Sequence, residues 1–206
     1  MSIKDYKLED EEILWTGKPN KSVYVKERIF SPLMIFAFLW LAIDAGFIVG
    51  FFVNISDSFG SYIIIPFFML HLMPVWLYLG RIFTSVSSWR NTEYMVTDKA
   101  VYVKTGVFNT SCDRKTFQEI TNVSVHQGII DKSHNVGDVF IVAGVSTTST
   151  KSRGGMNIVD IEDYMKVYKI ITKVGRDIFS DTMYPNDLRP NENHGYNTSY
   201  KKDDFE

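Results

Sequence analysis

Two ionisable residues lie inside long apolar stretches near the start of the chain. Asp44 falls in the stretch 29–53 and His71 in the stretch 62–83, each nine residues from the stretch end nearest the short link between them. In an antiparallel helical hairpin, equal offsets bring two side chains to a similar depth. We therefore predict that Asp44 and His71 pair, within one hairpin or across an oligomer of hairpins. The pair would be a clasp that fixes helix register, or part of a route for protons or ions.

Catalytic and metal-binding chemistry has no matching pattern elsewhere in the sequence. The histidines do not follow the spacings that build zinc sites, and the single Cys112 offers neither an internal disulfide nor a metal cluster. Cys112 lies in a polar run without a neighbouring histidine, which indicates a surface thiol rather than a nucleophile. The segment 151–155 contains glycines but lacks the residue order of a phosphate loop. The sequence therefore predicts no enzyme activity, no metal site and no cofactor.

The two apolar stretches are each long enough to cross a bilayer as a helix, which takes about 20 residues. Asp44 is the only formal charge in the first stretch and Arg81 the only one in the second. A cleaved signal would have a shorter apolar run directly after a basic leader, and the core of a soluble protein rarely holds runs of this length. The sequence therefore predicts a transmembrane helical hairpin over 29–83.

Basic residues flank this hairpin but are missing from its link. Lys and Arg stand at positions 18, 21, 26, 28, 81 and 90, whereas the link 54–61 has none. Because basic residues favour cytoplasmic loops, both termini are expected in the cytoplasm of a multi-pass membrane protein. Ala42, Gly46 and Gly50 form a row of small residues on the first stretch, which would let a second helix approach closely in a homo-oligomer.

After residue 88 the apolar runs give way to short alternating segments separated by turn residues. Segments 94–97 and 100–105 flank Asp98-Lys99, which indicates a two-residue hairpin turn. Further strand-like segments follow at 115–118, 120–125, 138–143 and 156–161. Apolar residues then recur at helical spacing from Tyr164 to Val174, and Gly175 marks the expected helix end. We predict an α+β, mostly β domain over 88–178, a barrel or sandwich of about seven strands capped by a C-terminal helix.

Several segments resemble the bacterial pleckstrin-homology-like (PH-like) membrane proteins. They are EEILWTGKP at 11–19, YMVTDKAVYV at 94–103 with TG at 105–106, ITNVSV at 120–125 with Gln127, NVGDVFI at 135–141 and IVDI at 158–161. The resemblance covers about residues 11–175 and implies a PH-like domain carried by a pair of spans in the bacterial cytoplasmic membrane. It implies no catalytic residue, and a PH-like fold hosts lipid-binding, peptide-binding and structural roles.

Binding at the cytoplasmic membrane face is the function that these features favour. Because a short segment joins the second span to the first strand, the domain would lie against lipid headgroups, where basic side chains gain on the order of 1 kcal/mol each. The candidate ligands of an anionic headgroup are Lys132, Lys151, Arg153, Arg114 and Lys115. An alternative is a protein-interaction adaptor of a membrane complex, which takes a partner's segment on a strand edge or helix groove. A third is ion or solute passage through an oligomer of hairpins.

Charge and composition limit the remaining roles. Residues 88–175 carry 11 Lys and Arg against 9 Asp and Glu, so the domain lacks the basic excess that is typical of nucleic-acid binding. The leader 1–28 is charged and balanced. The tail 179–206 is acidic, rich in Asn and Asp and poor in aliphatic residues, which predicts disorder.

Overall fold

The computed structural model describes residues 2–54, 66–144, 154–183 and 200–205. The chain divides into two compact units, one formed by residues 1–24 together with 88–206 and the other by residues 25–87. Most of the link predicted between the two spans lies outside the described residues.

The apolar part of the chain is helical. Its helices are α1 Lys21–Ile29, α2 Pro32–Asn54 and α3 Met73–Asn91, and residues 66–71 are also helical. Leu72 is a turn residue between the two helical segments, two residues before Pro74, yet its N–H still donates to the Phe68 carbonyl (2.9 Å) and its carbonyl accepts from Trp76 N–H (3.1 Å). Proline lacks an amide hydrogen, so Pro74 leaves one hydrogen bond of the helix unmade, which accounts for the local distortion.

One helical stretch, Lys21–Gly50, is long and apolar enough to cross a membrane, and only 11 % of its most apolar segment is buried. Its exposed side chains include Phe38 (59 % exposed), Leu39 (62 %) and Phe47 (67 %). An apolar surface of this extent is unusual on a soluble monomer. The predicted second span lies partly outside the described residues, and Leu72 divides its described part into residues 66–71 and α3.

Four antiparallel strands form the first sheet, in the order β1-β2-β3-β4. They are β1 Ile13–Gly17, β2 Glu93–Thr97, β3 Ala100–Gly106 and β4 Thr110–Thr116. Asp98-Lys99 forms the turn between β2 and β3, in agreement with the sequence. The hydroxyl of Thr97 stabilises this turn, because it accepts hydrogen bonds from the backbone N–H groups of Lys99 (3.3 Å) and Ala100 (3.0 Å).

Both faces of β2 and β3, the two central strands of the first sheet, are buried. Side chains alternate along a strand, so Tyr94 and Val96 enter the main core while Met95 points to the opposite face, beside Tyr102 of β3. Ile3 packs against that opposite face. The sheet therefore separates a large core from a small one.

The leader, which we predicted to be a segment separate from the β-domain, contributes a strand to this sheet. β1 pairs antiparallel with β2, and Leu14 (2 % exposed) and Trp15 lie in the main core. The β-domain is therefore built from two parts of the chain, with the apolar helices inserted between them. Local sequence did not reveal this, because β1 is five residues long and its partner strand lies beyond both apolar stretches.

The second sheet is antiparallel in the order β5-β6-β7. Its strands are β5 Ile120–His126, β6 Gly137–Ala143 and β7 Gly154–Ile161, and a short helix, α4 Ile129–His134, connects β5 to β6. The sequence did not predict α4. It placed a strand at 115–118 after a polar run at 109–113, whereas β4 takes in most of that polar run and only the first half of the predicted strand. Polar residues suit β4 because its side chains are mostly exposed.

β7 contains a bulge at Val159 and Asp160, where Asp160 has a φ of 57°. Bulged residues leave the regular ladder, so their amides need other acceptors. Here two side chains accept those hydrogen bonds. Val159 N–H donates to the Tyr94 hydroxyl (3.2 Å), and Asp160 N–H donates to Asp138 Oδ1 (2.9 Å).

The C-terminal helix, α5 Tyr164–Met183, closes the main core. Its buried residues, which follow helical spacing, are Val167, Ile170, Ile171 and Val174. The helix continues beyond Gly175 and beyond the predicted domain boundary at 178. Ile178 still packs against the core, and this packing outweighs the low helix propensity of one glycine.

The end of the tail also packs on the β-domain unit. Tyr200 is 5 % exposed and belongs to the main core, and its hydroxyl donates a hydrogen bond to Asp177 of α5. Lys173 Nζ lies 5.6 Å from the ring centroid of Tyr200 and 5.2 Å from that of Phe205. The predicted disorder of 179–206 therefore does not describe residues 200–205, where two aromatic side chains supply the buried area that the aliphatic count did not show.

Candidate functional site

A groove of about 780 Å³ opens between β5 and α5. Its apolar lining consists of Phe117, Ile120, Val123, Tyr168, Ile171, Ile178 and Phe179. Its polar lining consists of Gln118, Thr121, Asn122, Thr172 and Arg176, with Gly175 between them. A mostly apolar cleft of this size with a few polar groups is typical of a binding site.

β5 forms one wall of the groove and is an edge strand. Its inner edge pairs with β6, and none of the strands that the structure describes pairs with its outer edge. Val123 and Val125 pack against the main core, whereas Thr121 and Asn122 are exposed. An unpaired strand edge carries free N–H and C=O groups that can pair with an added extended segment.

α5 forms the other wall and presents an exposed aromatic side chain. Phe179 is 60 % exposed and lines the groove. Arg176 is also exposed, at 72 %, and its Nε lies 3.6 Å from Asp177 Oδ1. The groove thus combines an apolar anchor surface with a cation at its rim. The sequence indicated a helix groove or strand edge in general terms but did not assign these residues, since they converge only when α5 crosses β5.

The basic residues proposed as headgroup ligands do not form one site among the described residues. Lys151 and Arg153 lie outside the described residues. Lys132 is exposed on α4 in the β5–β6 connection, whereas Lys115 is half-buried on β4 in the other sheet.

Arg114 is held by partners within its own unit. Its Nη2 donates to Glu11 Oε1 (2.7 Å) and its Nε donates to the Tyr102 hydroxyl (2.8 Å). Glu11 is fully buried. The hydrogen bond that the guanidinium donates to Glu11 raises the pKa of Arg114 further above its usual range, although burial opposes this. Arg114 therefore binds the leader to β3 and β4.

Residues 33–174 match the family model described as Bacterial PH domain. The chain belongs to the bacterial PH domain family. The match begins in α2 and ends in α5, so it covers α2, α3 and the strands β2 to β7 but not β1 or α1. No curated protein and no solved structure matches the chain. PH domains are generally non-catalytic binding modules, and the groove between β5 and α5 is therefore a candidate binding site of this bacterial PH domain.

The histidine and aspartate of the apolar stretches lie together. His71 Nδ1 is 2.9 Å from Asp44 Oδ1, and the Asp44 side chain is 1 % exposed. The indole of Trp40 donates a hydrogen bond to the backbone carbonyl of His71 (2.9 Å), and the ring of Phe67 stacks on the imidazole with centroids 5.2 Å apart. The pair therefore lies among aromatic side chains, which fix the imidazole.

The row of small residues on α2 faces outward. Ala42 and Gly46 are exposed, and a methyl group built on Gly46 or Gly50 would meet nothing within 4 Å. Neither glycine therefore packs closely against another helix of the described residues. A homo-oligomer through this row stays a prediction.

Cys112 lies on a strand, although the sequence indicated a polar turn. It belongs to β4, is half-buried, and packs against the small core around Met95 and Tyr102. Burial raises the pKa of the Cys112 thiol, and the charge of Asp113 adds to this effect. A raised pKa lowers the thiolate fraction, so the geometry does not support a nucleophilic role for this thiol.

Proposed function

We propose that the protein is a membrane-anchored, non-catalytic binding module whose PH domain takes an extended segment of a partner protein in the β5–α5 groove. The observation that carries this proposal is the apolar groove beside the outer edge of β5. The protein would serve as an adaptor that holds its partner at the cytoplasmic face of the membrane.

The two walls of the groove favour an extended segment over a compact ligand. An added strand would pair with β5 through backbone hydrogen bonds, and its alternate side chains would point toward α5. Phe179 and Tyr168 offer aromatic surface for apolar side chains of that segment. Arg176 at the rim favours an acidic residue beside the apolar ones. The expected ligand is therefore a strand-forming segment with bulky apolar residues and a nearby Asp or Glu.

Membrane anchoring is supported by the exposed apolar surface of α2. A helix that keeps Phe38, Leu39 and Phe47 exposed needs an apolar environment, and the buried Asp44 has His71 as a partner that makes its place in a bilayer acceptable. We propose that the second apolar stretch completes a hairpin, with both termini in the cytoplasm. Removing α2 and the second stretch should release the protein from membranes, which fractionation measures.

Binding of an anionic lipid headgroup is the competing proposal. It requires Lys132, Lys151 and Arg153 to converge on one rim. Arg114, which was part of the same predicted set, is already bound to Glu11 and Tyr102. We therefore place the peptide groove ahead of the headgroup site.

Peptide selection tests the groove directly. A random displayed peptide library would first be selected for binding to the full chain in lipid nanodiscs. The affinity of each enriched peptide would then be measured by fluorescence anisotropy. Thr172→Trp fills the groove from an exposed position and should abolish binding. Phe179→Ala removes an exposed anchor and should weaken binding about tenfold or more. Met165→Ala is the matched control, because Met165 is an exposed apolar residue of α5 (45 % exposed) that does not line the groove.

The outcomes separate the two proposals. Equal binding to the wild type and to Thr172→Trp would exclude the groove as the binding site. For the headgroup, residues 2–24 joined by a glycine-serine linker to residues 88–205 would be floated with liposomes of graded anionic content. Flotation that rises with anionic lipid and is lost in Lys151→Ala and Arg153→Ala would favour the headgroup reader, whereas no flotation together with peptide binding would favour the adaptor.

A further inference from the structure

Three potential metal ligands meet where β5 joins β6. His126 ends β5, Asp138 lies in β6, and Asp131 lies in α4 between them. One ligating atom from each of the three side chains lies within 4.8 Å of the other two. His126 and Asp138 are direct cross-strand partners, and partners in a ladder project to the same face of a sheet. The strand register therefore places an imidazole and a carboxylate side by side, and α4 supplies a second carboxylate.

One oxygen of this cluster is buried without a hydrogen bond. Asp131 is fully buried, and its Oδ2 accepts a hydrogen bond from Gly128 N–H at the start of α4 (2.7 Å). Its Oδ1 has no hydrogen-bond partner within the described residues. A buried polar atom without a partner is destabilising by about 1–3 kcal/mol. Such an atom, beside an imidazole and a second carboxylate, is suited to bind a cation.

The charges around the cluster also favour a cation. Asp131 and Asp138 are both buried carboxylates, and no Lys or Arg of the described residues forms a salt bridge with either. Two like charges in a buried site repel each other. His126 is exposed, so the cluster is open to solvent on one side. An ion could therefore enter beside the imidazole.

We propose that His126, Asp131 and Asp138 bind a divalent transition-metal ion. One imidazole nitrogen and two carboxylate oxygens suit Zn²⁺ or Mn²⁺, with water at the remaining positions. Mg²⁺ and Ca²⁺ prefer sites made entirely of oxygen ligands. The ion would fasten the β5–β6 connection by joining both strands and α4. Residue spacing in the sequence did not predict this site, because the register of two strands brings the ligands together.

Asp131 and Asp138 also have structural roles, which would be an alternative explanation for why the two carboxylates lie here. Asp131 caps α4, and Asp138 Oδ1 accepts the amide of the bulged Asp160. The alternative is that the three side chains have structural roles only and bind no ion. The test must therefore use variants that keep these hydrogen bonds. Asp138→Asn keeps the acceptor oxygen and loses the charge, and His126→Gln replaces an exposed side chain.

The full chain in detergent, purified without a polyhistidine tag and treated with chelator, would be titrated with Zn²⁺, Mn²⁺ and Mg²⁺ by isothermal titration calorimetry. We expect one Zn²⁺ or Mn²⁺ per chain and binding at least tenfold weaker for Mg²⁺. His126→Gln and Asp138→Asn should each weaken the binding at least tenfold. His134→Gln, at the end of α4, and Asp113→Asn, on β4, are the matched controls and should bind as the wild type does.

Spectroscopy distinguishes ligation from loose association. Nitrogen modulation in pulsed electron paramagnetic resonance of bound Mn²⁺ should be present in the wild type and in His134→Gln, and absent in His126→Gln. Absence of stoichiometric binding by the wild type would overturn the proposal in favour of purely structural roles for the three side chains. Equal affinity of wild type and His126→Gln would also overturn it, even if Asp138→Asn did not fold.

Discussion

His71 Nδ1 lies 2.9 Å from Oδ1 and 3.1 Å from Oδ2 of Asp44, so the imidazole bridges the two oxygens of a carboxylate that the surrounding helices bury. The sequence predicted that the two residues lie at the same depth, because each is equally far from the link between the apolar stretches. In the structure their side chains are in contact. The ring centroids of Trp40 and Phe67 lie 5.1 Å and 5.2 Å from that of the imidazole. That the pair acts as a clasp between helices, and not as a route for ions, stays a prediction.

Replacing either member of the pair should loosen the hairpin without changing its topology. Polar contacts between membrane helices contribute about 0.6 kcal/mol on average and at most about 1.7 kcal/mol. We expect Asp44→Asn and His71→Gln each to lower the free energy of unfolding in detergent by an amount in this range. The double variant should lose less than the sum of the two. His134→Gln, outside the hairpin, should change nothing, and additive losses would show that the pair is not coupled.

The β-domain should fold only when the leader is present. β1 pairs with β2, and Leu14 and Trp15 fill the main core, so residues 88–205 alone would expose that core. Residues 2–24 joined to 88–205 by a short linker should be soluble and unfold cooperatively. A short linker is sufficient because the side chains of Tyr24 and Ser88, the two residues to be linked, are in contact, with their hydroxyl oxygens 2.8 Å apart.

Circular dichroism and urea unfolding measure this difference. The matched control carries Leu14→Asp in the joined chain, which should behave like residues 88–205 alone because it places a charge in the core. Equal solubility and cooperativity of residues 88–205 without the leader would show that β1 is dispensable.

The parts of the fold that could be predicted from sequence depend on local patterns. Asp98-Lys99 is a turn signal between two alternating runs, and the helical spacing from Tyr164 to Val174 set the start of α5. The parts that could not be predicted depend on partners distant in the chain. β1 pairs across the inserted helices, and the groove needs α5 to cross β5. The sequence suggested that Arg114 was available to bind a headgroup, because its partner, Glu11, lies far before it in the chain.

Glu93 should stabilise the β-domain above the pH at which a carboxyl is ordinarily protonated, and lose this effect in acid. Burial alone would raise the pKa of Glu93, but hydrogen bonds from Lys18 Nζ (2.9 Å) and Ile3 N–H (2.8 Å), with the charge of Lys104, lower it below the usual value of 4.5. A lowered pKa means that the folded state prefers the ionised carboxylate. The stabilisation is therefore complete above pH 4.5 and is lost as the pH falls through the lowered pKa.

Glu93→Gln in the joined chain should accordingly lower the free energy of unfolding by about 1–3 kcal/mol at pH 7, since Lys104 is left partly buried without its carboxylate. The difference in free energy of unfolding between variant and wild type should disappear below pH 4.5. Urea unfolding at several pH values measures this difference in free energy. Glu12→Gln, at an exposed position before β1, is the matched control and should show no gap at any pH; a Glu93→Gln gap that stayed constant into acid would contradict the assigned cause.

Tyr94 should stabilise the bulge of β7 through its hydroxyl. Val159 N–H donates to that hydroxyl at 3.2 Å, Tyr94 is 1 % exposed, and burial holds the pKa of its phenol well above the usual value of 10. Tyr94→Phe keeps the ring in the core but leaves the amide of Val159 without its acceptor, so the free energy of unfolding should fall by about 1–3 kcal/mol. Hydrogen exchange at Val159 should accelerate more than exchange in β2. Tyr164→Phe is the matched control, since no hydrogen bond to its hydroxyl occurs within the described residues; equal losses in the two variants would mean that the hydroxyl of Tyr94 does not support the bulge.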